Sequence, residues 1–271
     1  MDSTTVGFIG AGNMAYSLIR GLLARGSIAS SIIAADIDNE KLKFLSSECG
    51  VRTTDNQGVA NEANIIVLAV KPQVMEDVCK NINLKTDSSL IVSVAAGITI
   101  GQLERWLGND TAIIRCMPNT PALVGKGATG LYSNEIVSST QKDLAKSLMD
   151  SVGISVWVNN EIDIDTVTAV SGSGPAYFFL FMEAMQETAT ELGLSEDVAQ
   201  RLIYQTALGA AELAIQSDEA TSALRRKVTS PGGTTETAIK TFEAHDLRDS
   251  VRNALIAARN RSIQLAKDPN R

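Results

Sequence analysis

Five short runs of β-branched and apolar residues, TVGFI, SIIAAD, IIVLAV, LIVSVA and AIIRC, punctuate the first half of the chain, each followed by a polar or amphipathic stretch. Runs that are apolar on both faces suit strands covered on both sides, the condition of a parallel sheet held between layers of helices. The alternation predicts an α/β fold built on a doubly wound parallel sheet. GATGLY and ISVWV read as two further strands. Within TIGQLERWL, Thr99 is placed to cap a helix and Gln102 to reach back and close the capping box.

After about Val158 the pattern changes. From Asp163 to Lys267 there are only long stretches with leucine, alanine, isoleucine and methionine at three- and four-residue spacing, such as YFFLFMEAMQETATEL and EDVAQRLIYQTALGAAELAI. Several are apolar around much of their circumference, more than a small bundle can bury by itself, so these helices are expected to pack against a second copy of the chain. The 271 residues therefore divide into a dinucleotide-binding domain over 1–160 and a helical domain over 161–271, in an obligate homodimer.

The dinucleotide expectation comes from VGFIGAGNMA, which puts Gly10-x-Gly12-x-x-Ala15 directly after a buried strand and at the start of a helix. Gly10 permits the tight turn, Gly12 lets the backbone approach a pyrophosphate, and Ala15 lets the helix pack on the strand. About twenty residues on, Asp36 ends the second strand, where a carboxylate accepts hydrogen bonds from ribose hydroxyls; a plain helix cap is the competing reading. LAVKP and SVAAG end two more strands on the same cleft, with Lys71 either a cofactor contact or a solvated charge. In RCMPNTP, Asn119 and Thr120 follow a strand end, as contacts to the nicotinamide or the substrate or as an ordinary loop.

Other classes are disfavoured. A net charge of -7 and no basic stripe argue against nucleic acid. Cys49, Cys79 and Cys116 are widely spaced, with a single histidine, His245, in the chain, so structural thiols are expected and no metal site. No run approaches a membrane span, and MDSTTVGFIG lacks a basic leader, which points to the cytoplasm.

A second glycine loop, VTSPGGTTETA, lies far from the first. Gly232 and Gly233 leave the backbone accessible, and Thr234 and Thr235 open an amphipathic helix, so its first amides either face an anion or simply follow a proline-glycine turn. GFIGAGNMA, LAVKP, VSVAAGITI, RCMPNTP, SGSGPAY and SPGGTTETAI occur in that order, and from about residue 5 to 265 the chain resembles the pyrroline-5-carboxylate reductases.

The resemblance implies a Rossmann-like amino-terminal domain followed by an all-helical dimerisation domain. It implies reduction of 1-pyrroline-5-carboxylate to L-proline by NADPH or NADH, in dimers that often assemble further into decamers. By that similarity the cofactor contacts Ala11, Asn13 and Met14, Asn56, the segment Ala69, Val70, Lys71 and Pro72, and Ala96. The substrate falls to Ser230 through Thr235 and to Glu161, with Thr235 the residue placed to act on the ring nitrogen. SGSGPAY reads as a helix start with Pro175 in its first turn, with Ser173 or Tyr177 near the substrate.

Overall fold

The computed structural model describes residues 4–85 and 89–267. They form two compact units, residues 1–175 with 257–271, and residues 176–256.

The first unit is built on eight strands: β1 (Val6–Ile9), β2 (Ile32–Ala35), β3 (Arg52–Thr53), β4 (Ile65–Leu68), β5 (Leu90–Ser93), β6 (Ala112–Met117), β7 (Gly127–Ser133) and β8 (Gly153–Trp157). Its helices are α1 (Asn13–Ala24), α2 (Asn39–Cys49), α3 (Asn56–Glu62), α4 (Pro72–Lys80), α5 (Ile100–Leu107), α6 (Ser139–Asp150) and α7 (Asp163–Val167). The strand order is β3-β2-β1-β4-β5-β6-β7-β8, with every pair parallel except β6 and β7. β1 lies between β2 and β4, so the winding reverses there, where open sheets of this kind bind ligands.

The five apolar runs are β1, β2, β4, β5 and β6, and they are buried on both faces because successive side chains point to opposite sides. Phe8 joins a core with Leu18, Val67 and Leu148, whereas its neighbour Ile9 joins another with Ile33, Met75 and Leu103. Each such side chain contributes about 1.5–3 kcal/mol by leaving water.

Two departures from the expected sheet have physical reasons. β3 is only two exposed residues, too short to show a pattern. β7 runs antiparallel because the connection 118–126, a single 3-10 turn, is too short to cross back over the sheet. The expected capping box on α5 is present, with both Thr99 and Gln102 in place.

By their internal contacts the two units part after Pro175. Ile164 and Ala169 are each 1% exposed, α7 packs on β7, and the end of α12 (Leu247–Lys267) belongs to the same unit. Residues 161–175 therefore belong with the sheet. SGSGPAY holds the expected helix start, α8 (Gly174–Glu191) with Pro175 in its first turn, and just before it α7 runs into a wide π turn at Thr168–Gly172, where the Ser173 amide donates to the Thr168 carbonyl at 2.7 Å.

The second unit holds most of α8 and the first part of α12, up to Ile256, together with α9 (Glu196–Gln216), α10 (Thr221–Lys227) and α11 (Thr234–Ala244). In α9 only Ala199 and Ile203 are buried, while Phe178, Phe179 and Leu213 are about two-thirds exposed and Ile215 is 83% exposed. So much exposed apolar surface on neighbouring helices marks an interaction face.

All three cysteines are free. Burial pushes the Cys79 thiol up to about 12 and that of Cys116 higher still, so both are inert packing groups. Among the described residues there is no cluster of metal-ligating side chains, and no helix is long and apolar enough to cross a membrane.

Candidate active site

In the first unit the glycine loop sits on the end of β1. Gly10 has φ +103, and a side chain there would stand 2.6 Å from the Ala69 backbone, so only glycine lets the loop lie against the end of β4. The Gly10 amide donates to the Ala35 carbonyl at 2.7 Å, which ties the loop to β2 as well. Ala15 is fully buried and seats α1 on the strand.

α1 begins on Gly12, and no side chain caps it. Its first-turn amides therefore point outward at the positive end of the helix, and a Cβ built on Gly12 would meet nothing within 4 Å. Open space beside unpaired amides fits a pyrophosphate. Asn13 is exposed, and Met14 lies partly buried on the core behind it.

The neighbouring strand ends complete this crevice. The Asp36 carboxylate accepts the Ala11 amide through Oδ2 at 2.7 Å and the Asp38 amide through Oδ1 at 2.9 Å. The helix-cap reading of Asp36 is thereby corrected: Asp38 caps α2, accepting from the Glu40 amide, and Asp36 fastens the glycine loop. Beyond β4, half-buried Ala69 and Val70 lead to Lys71 and Pro72 at the start of α4, and Lys71 is exposed with no ion pair among the described residues. Asn56 opens α3, whose cap is Asp55, and Ala96 is exposed beyond β5.

Two residues expected at the ligand have structural partners within the protein. Asn119 is 9% exposed; its Nδ2 donates to the Ser171 carbonyl at 2.9 Å and its Oδ1 accepts the Ala128 amide at 2.9 Å. It ties β7 to the π turn, because the short connection after β6 leaves its side chain facing inward. Glu161 Oε1 accepts from the Ile100 amide at 2.8 Å and from Arg115 Nη1 at 3.0 Å.

Arg115 was not singled out from the sequence, although an arginine inside the apolar run AIIRC needs a carboxylate somewhere. It is 2% exposed, and besides Glu161 its Nη2 lies 3.7 Å from Asp165 Oδ1. Asp165 in turn accepts the Ser262 hydroxyl at 2.6 Å. Gln102 donates to the Ala266 carbonyl, and Gly97 lies against Leu265. The carboxyl-terminal turns of α12 are thus fastened beneath the loop that carries Ala96.

In the second unit, Gly232 has φ +73 and turns the chain into α11, which starts on Gly233 with no capping side chain. Ser230, Thr234 and Thr235 are exposed. Glu236, another residue missed from sequence, folds back to accept the Gly232 amide at 2.8 Å, and this bond holds its carboxyl below the usual range. The amides of Thr234, Thr235 and Glu236 remain at the helix start, the same arrangement as at Gly12.

Residues 161–265 match the family profile described as pyrroline-5-carboxylate reductase dimerisation, and residues 5–97 that of NADP oxidoreductase, coenzyme F420-dependent. A pyrroline-5-carboxylate reductase from Pseudomonas aeruginosa is 49% identical, with 98% of each chain covered. The enzyme of that name from Pisum sativum is 38% identical over 98% of this chain and 97% of its own. Among solved structures, a pyrroline-5-carboxylate reductase from Coxiella burnetii superposes with a TM-score of 0.93 at 46% identity, covering 98% of this chain and 99% of its own. One from Plasmodium falciparum with NADP bound gives 0.87 at 32% identity over 98% and 99%.

Proposed function

The chain belongs to the pyrroline-5-carboxylate reductase family, and from that membership we propose that it reduces 1-pyrroline-5-carboxylate to L-proline with a reduced nicotinamide nucleotide. The observation that carries the assignment of roles is the pair of helix starts that have a glycine and no capping side chain at the cap, Gly12 and Gly233. The substrate carries a carboxylate and the cofactor a pyrophosphate, so the chemistry calls for two anion sites, and these two glycine-capped starts are suited to supply them.

The first is assigned to the cofactor. Gly10, Ala11 and Gly12 with Asn13, Met14 and Ala15 hold the pyrophosphate, Asp36 the ribose, and Asn56, the segment from Ala69 to Pro72 and Ala96 the remaining walls. When bound, the nicotinamide supplies the hydride. The second site is assigned to the substrate, whose carboxylate lies on the amides of Thr234, Thr235 and Glu236 beside Ser230 and Gly232. A cyclic imine is basic enough to be partly protonated near neutral pH, so binding and orientation do most of the work. The Thr235 hydroxyl serves the ring nitrogen as hydrogen-bond partner and relays its proton from water. Glu161 and Asn119 position the walls through Arg115 and Ser171.

We place the enzyme in the cytoplasm as a homodimer, with the exposed apolar residues of α8 and α9 covered by a second copy, and with dimers able to build a larger ring such as a decamer. The dimerisation profile over 161–265 supports the pairing.

Following nucleotide absorbance with NADH and NADPH side by side tests the assignment. Consumption is expected with 1-pyrroline-5-carboxylate, while 1-pyrroline, the same ring without the carboxylate, should show kcat/KM lower by about a hundred-fold, the worth of two charge-assisted hydrogen bonds. No consumption with the carboxylated ring would end the reading. Equal rates with both rings would remove the carboxylate cradle.

A further inference from the structure

We propose that this chain selects NADH over NADPH and that Asp36 sets the selection. The inference rests on the assignment of the first glycine loop to the cofactor and deepens it. The Asp36 carboxylate is fixed at both oxygens, by the Ala11 amide at 2.7 Å and the Asp38 amide at 2.9 Å. Ala11 belongs to the glycine loop, so the carboxylate stands at a set place beside it, where the adenosine ribose of a bound dinucleotide lies. A carboxylate offers about four acceptor sites, and with two filled by backbone amides the others face hydroxyl donors. The 2'- and 3'-hydroxyls of NADH are such donors. A 2'-phosphate has none to match them and brings negative charge against a carboxylate that cannot swing away.

The cations around this strand end are already engaged. Lys41 lies 3.8 Å from Asp38, and Lys43 pairs with Glu40 at 2.8 Å. Arg52 on β3 pairs with Glu62 at 2.7 Å and donates to the Ser30 carbonyl, which holds it at the opposite, amino-terminal end of β2. Arg20 lies over the Tyr16 ring. The residue that follows Asp36 is Ile37, 99% exposed and without a donor.

Equilibrium titration with each reduced nucleotide in the absence of substrate, followed by the quenching of tryptophan fluorescence, reads the selection without turnover. For the unaltered protein the Kd of NADPH should exceed that of NADH by at least about ten-fold. Asp36→Ser should close most of that gap. Ile37→Arg, at a site that buries nothing, should tighten NADPH by about ten-fold and leave NADH nearly unchanged. Equal or tighter NADPH binding by the unaltered protein overturns the selection, and an unchanged ratio in both variants overturns the role of Asp36. Binding of neither nucleotide would refute the assignment of the loop itself, a different result from binding both alike.

Discussion

Gly12→Val should give a protein that folds normally and no longer binds a dinucleotide. Gly12 has φ -80 and ψ -174, ordinary extended backbone for a β-branched residue, and its added Cβ would meet no protein atom within 4 Å. Stability should stay within about 0.5 kcal/mol, as at most open positions. The isopropyl group would nonetheless occupy the space over the first amides of α1. Losing two charge-assisted bonds to a pyrophosphate should weaken binding by at least about a hundred-fold. Gly10→Ala is the contrast, since its Cβ meets the Ala69 backbone at 2.6 Å with φ +103, and it should cost both stability and affinity. Thermal melts with nucleotide titrations distinguish the two. A Gly12→Val protein that binds NADH normally would show that the pyrophosphate lies elsewhere.

Arg115→Met should be the most damaging single change to stability. The substitution strips the cation from Asp165, whose side chain is 8% exposed, and from Glu161 at 28%, leaving one carboxylate buried without its counterion. Removing one partner of a buried pair costs about 3–5 kcal/mol, and the partial exposure of Glu161 places the expectation near the lower figure. In a protein of this size that is a fall in Tm of roughly 10 °C. Adding Asp165→Asn, which keeps an acceptor for Ser262 but removes the charge, should restore part of the loss. No recovery in the double variant would mean that the cost comes from packing around Arg115 and not from the stranded charge.

What the sequence revealed about this molecule was local. Apolar runs, glycine spacing and the Thr99 capping box are governed by neighbours within a few residues, and each took the expected form. The spacing of Asp36 from the glycine loop was visible, but its bond to the Ala11 amide depends on the pairing of β1 with β2. Arg115 and its partners lie 46 and 50 residues apart, and Ser262 is 97 from Asp165, separations that no periodicity encodes. The return of α12 onto the sheet was hidden for the same reason, and with it the inward roles of Glu161 and Asn119. Glu236 was legible in principle, four residues beyond a glycine at a helix start, where a carboxylate is favoured by the helix dipole.

The assignment of the second glycine loop to the substrate, and of the first to the cofactor, is tested most directly by steady-state kinetics of Thr235→Ala alongside cofactor titration. Thr235 is exposed, so its removal should not disturb folding. The expected result is a kcat/KM for 1-pyrroline-5-carboxylate lowered by at least about ten-fold, the worth of one hydrogen bond to the ring, with the Kd of the reduced nucleotide unchanged. A variant that loses both equally, or neither, would contradict it.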